Sequence, residues 1–421
     1  MKTTLLSLLL ACCPLLLAAQ IRFDENPSWQ ETLDKARAAG KYIFMDCYTD
    51  WCGPCKTLDK TVFSRPDVGD VYNARFVNVK YNMERGEGPA LAKQYSVAAY
   101  PTLLFIDAAT GEIVHRVVGA RDATYFIEQA DVALDSRDNL RGARQRYEES
   151  AKTLDDLQRY LDALAPAGAS GEQARVVSLF IEALPDSARR EERHWRLIER
   201  YLRDPLSAPL QRAFADRATY ARALGAARVN AKLSSALQSA SLAFLDRKGD
   251  DSARFDETRH AALLRLALTV EDPAAPLCAA HLLAAGHARR REYAAMLDVA
   301  RDALKYNIVQ GQPRPVFFMV YLVKLINAPD TSLLLSGVDL ADELIASTPD
   351  AYIVSSFHEI KALLLDAAGQ PAAAAAAREK GHRRPRPAAA TPSSSSSSPA
   401  APARVSSTPV RVSLPVIPET P

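Results

Sequence analysis

The chain has 421 residues, enough for roughly two or three domains with sizeable cores. Its 52 basic and 50 acidic residues leave a formal net charge of +2, so there is no electrostatic case for nucleic acid or a membrane surface as partner. Six cysteines in so long a chain are far too sparse for a disulfide-stapled scaffold, and stability must come from apolar cores.

The chain opens M-K-T-T-L-L-S-L-L-L-A-C-C-P-L-L-L-A-A-Q. One basic residue, a leucine-rich run and the small residues Ala18 and Ala19 predict a secretory signal over 1–19 and a periplasmic mature protein. Leu9-Leu10-Ala11-Cys12 is also similar to a lipoprotein cleavage box, which would anchor the chain through Cys12. Against that, the apolar run continues well past Cys12. No later segment is long and apolar enough to predict a membrane span. Removal of the signal leaves Cys47, Cys52, Cys55 and Cys278.

Residues 22–135 alternate helical and strand patterns. A helix fits Trp29–Ala39 and stops at Gly40. Tyr42-Ile43-Phe44-Met45 runs apolar into Asp46, as a strand buried on both faces would. A helix is expected over 52–60, with further strands over 76–80, 103–107 and 112–118. Asp122 is placed to cap a closing helix over Ala123–Leu134. Interleaved strands and helices predict an α/β layer fold.

Residues 136–381 read as helix after helix, rich in Ala, Leu and Arg, with breaks at 165–171, 204–208, 248–251, 311–315 and 328–331. The stretch 362–369 with Ala374 resembles a tetratricopeptide-type helix–turn–helix, which predicts an all-α helical-repeat domain of no fixed period. Residues 382–421 are Pro, Ala, Ser and Arg, with serine unbroken over 393–398, and predict a disordered tail.

Within W-C-G-P-C-K, Cys52 and Cys55 stand three apart. A metal site would need a second pair or suitably spaced histidines. There is no second Cys-x-x-Cys, and His281 and His287 do not share a helix face, so ligand count argues against a metal. A structural staple is also a weak reading, because closing so short a loop removes little chain entropy. Redox chemistry explains more. With the helix starting at Cys52, its sulfur sits at the positive end of a helix dipole, which favours the nucleophilic thiolate. Pro54 falls in the first turn, where its missing N–H costs nothing. Cys55 lies one turn in and is expected to be shielded. Cys52 then attacks a disulfide and Cys55 resolves the mixed disulfide.

W-C-G-P-C-K resembles the active site of thioredoxins, and further elements match in order. Asp46 precedes Cys52 by six residues, as the buried aspartate of that family does. The strand at 76–82 resembles the one carrying the lysine that accompanies this aspartate, here Lys80. Tyr100-Pro101-Thr102 is similar to the segment with the cis-proline, and Val118-Gly119-Ala120 to the glycine turn before the last helix. The wording around the cysteines is also similar to the C-terminal thioredoxin-like domain of DsbD, a bacterial membrane reductase serving the cell envelope. Two departures stand out: Gly53-Pro54 is the thioredoxin pair rather than the DsbD one, and Cys47 is an additional thiol.

The resemblance implies a thioredoxin fold, a central mixed sheet flanked by helices, with a Cys52–Cys55 redox disulfide. It implies that Trp51, Gly53, Pro54, Tyr100 and Pro101 meet the substrate, and that Lys80 partners Asp46. Burial in an apolar strand should raise the Asp46 pKa and let it accept the Cys55 proton, although an aspartate there can also be purely structural. Cys47 should face the opposite side of the sheet and pack, as should Cys278 among helices.

These expectations describe a thiol–disulfide oxidoreductase, most simply a reductase of protein disulfides. It would need no organic cofactor or metal, would not bind nucleic acid, and would require a membrane electron donor. Two alternatives stay open: an oxidase or isomerase on the same fold, and an adaptor whose helical array binds an unknown protein partner.

Overall fold

A computed structural model describes residues 20–244, 255–309 and 313–382 of the chain. The expected signal at 1–19, the tail from 383 onward and the break at 248–251 lie outside the described residues.

Five strands form one mixed sheet: β1 (Asp24–Glu25), β2 (Tyr42–Tyr48), β3 (Phe76–Asn82), β4 (Thr102–Ile106) and β5 (Ile113–Val118). Their order is β1-β3-β2-β4-β5, with β1, β3 and β2 parallel and β4 and β5 antiparallel to their neighbours. The central β2 buries both faces, which is why it reads as a continuous apolar run. Helices α1 (Trp29–Ala39) and α4 (Gly88–Gln94) cover one face, through Leu33, Ala36 and Leu91 against Ile43, Met45 and Cys47. On the other face lie α2 (Gly53–Leu58), the π-helical turn Asp59–Phe63 that continues it, α3 (Pro66–Arg75) and α5 (Ala123–Leu134). Leu58, Phe63, Tyr72 and Phe126 pack there against Phe44, Leu103 and Phe105.

Local chemistry sets several of these boundaries. Gly40 stops α1 in the left-handed region, φ 62°, where a side chain would be strained. Asp122 caps α5, its Oδ1 accepting from the Tyr125 N–H at 2.9 Å. Helices α3 and α4 were not expected from the sequence. The first carries Gly69 and only two large apolar buried residues, Val68 and Tyr72. The second is seven residues long and opens on Gly-Pro.

From α6 (Leu140–Glu149) to α20 (Pro371–His382) every element among the described residues is a helix, the longest of them running 17 residues. Breaks fall at 165–169, 202–207 and 326–330, as expected, and at several places that were not. The expected helix–turn–helix near 369 is α19 (Ala351–Ala367) packed on α20. One apolar core centres on Trp195, Ile198 and Leu233, and a second on Phe317, Leu344 and Phe357. They meet in α15 (Ala275–Arg289), where Cys278 belongs to the first and Ala284 to the second.

The helices join the sheet at its β5 edge. α6 packs on β5, and the Arg141 guanidinium reaches Asp107, just past β4, at 3.2 Å. At the other end of β5 the Val118 N–H donates to the Pro166 carbonyl at 2.8 Å. Pro166 lies in the loop between α7 (Leu154–Leu164) and α8 (Ser170–Ala183).

Candidate active site

The cysteine pair sits where β2 leaves the sheet. The Cys52 N–H donates to the Thr49 carbonyl at 3.1 Å, closing the turn that brings Cys52 to the start of α2. Cys52 is the cap residue itself, its Sγ accepting from the Cys55 N–H at 3.1 Å. A sulfur in that position faces the unpaired amides of the first turn, and negative charge on it is favoured there. Cys52 and Cys55 are joined as a disulfide with Cα atoms 5.4 Å apart. In this bonded state Cys52 and Cys55 are equally buried, each 2 % exposed, so the expected contrast between an open Cys52 and a shielded Cys55 is absent. What separates them is position along the helix. Gly53 and Pro54, between them, are exposed.

Asp46 is 1 % exposed and shares the Phe44 face of β2, toward α2. Burial is the main reason its carboxyl is held at about 7, far above the usual 3.8; the Lys80 ammonium pulls it back down, while Asp59 pushes it up. Lys80 is directly opposite Asp46 in the β2–β3 register, and its Nζ stands 3.4 Å from Asp46 Oδ2. That is an ion-pair distance without hydrogen-bond geometry: among the described residues neither Asp46 oxygen has a hydrogen-bond partner.

The hydrogen bond from Lys80 goes instead to Asp59 Oδ1. Burial alone would lower the Lys80 pKa, but Asp46 and Asp59 together outweigh it and raise it. The Lys80 ammonium also lies 5.0 Å from the centre of the Tyr48 ring. Asp59 is therefore a site residue that the sequence reading omitted. Its side chain is 40 % exposed, so it connects the Asp46–Lys80 pair to solvent. The available signal was spacing: Asp59 follows Cys55 by four residues, one helical turn along the same face.

Trp51, beside the pair, is 67 % exposed. Its indole N–H donates to Glu84 Oε1 at 2.9 Å, and its ring meets Tyr100 edge-on with centroids 5.8 Å apart. Asn82 ties the same turn from β3, its Nδ2 donating to Asp50 Oδ1 at 2.9 Å. The Tyr100–Pro101 peptide bond is cis, and the Pro101 carbonyl accepts from the Gly119 N–H at 2.9 Å. The structure thus gathers Trp51, Cys52, Tyr100 and Pro101 at one end of the sheet.

Cys47 is fully buried on the opposite face, among Met45, Tyr81 and Tyr95. Burial, with Asp46 adding to it, pushes its thiol well above the ordinary range, so it is inert packing. Cys278 is likewise buried among helices, its thiol pushed up to about 11 by burial. Among the described residues no cluster of His, Cys, Asp or Glu has the makings of a metal site. Nor is any described helix long and apolar enough to cross a membrane.

A mixed sheet with helices on both faces and a Cys-Gly-Pro-Cys pair opening the helix after β2 define a thioredoxin-like domain. Residues 29–133 match the family model described as a thioredoxin-like domain, and the helical region follows it. The chain is similar to the thiol:disulfide interchange protein DsbD of Pseudomonas fluorescens, 33% identical over 102 residues, 24% of this chain and 18% of that one. Against DsbD of Haemophilus influenzae it is 33% identical over 112 residues, 26% and 19% of the two chains. It therefore spans under a fifth of the length of these curated relatives. Among solved structures it is similar to a putative disulphide-isomerase from Bacteroides thetaiotaomicron, with 47% identity, 28% of this chain and 96% of that one covered, and a TM-score of 0.26. The Neisseria meningitidis DsbD C-terminal domain in its oxidised form gives 24% identity, 26% and 96% coverage, and a TM-score of 0.23.

Proposed function

We propose that the chain is a thiol–disulfide oxidoreductase of the cell envelope that reduces protein disulfides. The observation that carries this reading is a Cys-Gly-Pro-Cys pair at a helix start, preceded on the adjoining strand by a buried carboxyl that has no hydrogen-bond partner among the described residues. In the reduced state the Cys52 thiolate attacks one sulfur of a substrate disulfide. A Cys52–substrate bond forms and the other substrate sulfur leaves as thiolate. Asp46 takes the proton from Cys55, whose thiolate attacks Cys52 Sγ and releases the second substrate thiol. Two electrons pass to the substrate, and the Cys52–Cys55 disulfide is left behind.

Asp46 suits that step because its pKa of about 7 lets it hold or release a proton at neutral pH. Lys80 and Asp59 give the proton a route to solvent. Trp51, Gly53 and Pro54 offer an exposed surface beside the sulfurs, and Tyr100 with Pro101 borders it. The names of the DsbD relatives, which denote thiol:disulfide interchange, support the same chemistry. The envelope location rests on the signal-like start of the chain and on the resemblance to DsbD. A chain working as a reductase there needs a dithiol donor to reopen its own disulfide, and a membrane electron donor fits that need.

Trapping tests the reading. A Cys55→Ser variant expressed in the envelope should retain proteins as mixed disulfides on Cys52, released by a reductant. A variant that captures nothing, while remaining folded, would overturn it.

A further inference from the structure

The strand ends beside the cysteines form a row. In register, β3 Asn82 lies opposite β2 Tyr48, β2 Cys47 opposite β4 Thr102, and Thr102 opposite β5 Val118. The row does not stop at β5, the last strand of the sheet. The Val118 N–H donates outward to Pro166 at 2.8 Å, while the next residue, Gly119, donates inward to Pro101 at 2.9 Å. One dipeptide of the sheet thus holds the Pro101 segment on one side and the α7–α8 loop on the other.

The loop is seated rather than merely near. Gly168 has φ 61°, and a Cβ on it would stand 3.3 Å from Val118 Cβ. Ala167 is buried, and the flanking helices are anchored by Leu161, Leu164, Val176 and Val177 in the Trp195 core. Ala165 and Gly168, by contrast, are exposed, and Tyr100, Val118, Gly119 and Ala120 are half-exposed. Strands lie about 4.8 Å apart, so the step from β2 to the loop is roughly 14 Å. An extended peptide covers that in about four residues, at about 3.3 Å each.

We propose that residues 165–169, which belong to the helical region, form the far wall of the substrate groove and contact the segment flanking the substrate cysteine held on Cys52. The inference rests on the redox reading above and adds to it the source of selectivity. A small disulfide ends before it reaches the loop, whereas a protein segment crossing the strand ends meets it.

The test uses the full chain carrying Cys55→Ser. Two ten-residue peptides with one activated cysteine are trapped on Cys52, one with benzoylphenylalanine four residues before the cysteine and one four residues after. After irradiation, at least one peptide should cross-link within 165–169. In parallel, in the full chain that keeps both Cys52 and Cys55, Ala165→Arg should shift kcat/KM in favour of a disulfide-bonded peptide bearing Glu at the cross-linking position over one bearing Arg, by about threefold, the size expected of an exposed ion pair. Its rate on a small disulfide should not change. Cross-links confined to residues 48–122 from both peptides, or an unmoved Glu-to-Arg ratio, would overturn the inference while the redox reading stands. Failure of both peptides to form a mixed disulfide would remove the redox reading, and this inference with it.

Discussion

Lys80 Nζ stands 3.4 Å from Asp46 Oδ2 yet gives its hydrogen bond to Asp59. The buried carboxyl is thus placed beside a cation that it does not monopolise, and the cation is tied to a half-open carboxylate at the helix surface. This arrangement leaves Asp46 free to bind and release a proton, and it makes the site's behaviour depend on pH.

The stability of the Asp46→Asn variant should depend on pH in one direction. Burial, above all, raises the Asp46 pKa from 3.8 to about 7. An acid with a raised pKa in the folded state contributes stability that is complete below its unfolded pKa and is lost as pH rises through the folded value. Asn stays neutral throughout. The variant should therefore track the parent near pH 4 and exceed it increasingly up to pH 7, by at most roughly 4 kcal/mol. Urea unfolding of the oxidised proteins at several pH values measures this, and a gap that does not widen with pH would contradict the assignment.

The same substitution should slow resolution of the mixed disulfide. With no carboxylate to accept the Cys55 proton, single-turnover release at pH 7 should fall by at least about tenfold, near or below the low end for general base catalysis. Capture by Cys52, measured with an alkylating reagent, should persist. Unchanged release would return Asp46 to a structural role.

Lys80 and Asp59 should move the Asp46 pKa in opposite directions. Lys80→Met removes the charge that lowers it, so the pH midpoint of the release rate should rise above 7. Asp59→Asn removes a charge that raises it, so the midpoint should fall, by up to about one unit. Shifts of the same sign in both variants would show that the three groups are not coupled as their positions require.

A fragment of residues 21–136 should fold and reduce the insulin interchain disulfide, because Cys52, Cys55, Asp46, Lys80 and Pro101 all lie within it. Ending there strips α6 and Pro166 from the β5 edge. Losing the Val118 hydrogen bond alone should cost about 1 kcal/mol. That corresponds to a domain Tm roughly 4–8 °C below its value in the full chain, read by calorimetry. An inactive but folded fragment would mean that the helices complete the active site.

How far the site could be read from sequence depended on whether its parts are local. Cys52, Cys55 and Asp46 share one strand–turn–helix, so spacing alone places them at the same sheet end. Gly40 and Asp122 mark helix ends through their own backbone preferences. Asp59 escaped notice because an aspartate on a helix is ordinarily a solvated residue. Only the fold reveals that Lys80, 21 residues away, turns toward it. The pairing of Cys52 with Cys55 was legible from the motif, but the equal burial of the two sulfurs, set by the residues packed around them, was not. The Val118–Pro166 contact was the least legible. It joins an edge strand to a loop 48 residues later, through backbone atoms that carry no side-chain signature.

Whether the Cys52–Cys55 pair works as a reductant is tested most directly by redox equilibration of the full chain against glutathione, following Trp51 fluorescence or thiol alkylation. The expected result is a two-electron transition with a potential below about −220 mV, toward the about −270 mV of a thioredoxin with the same Gly-Pro between its cysteines. A value near −120 mV, that of a strong oxidant, would contradict the reductase assignment and favour an oxidase.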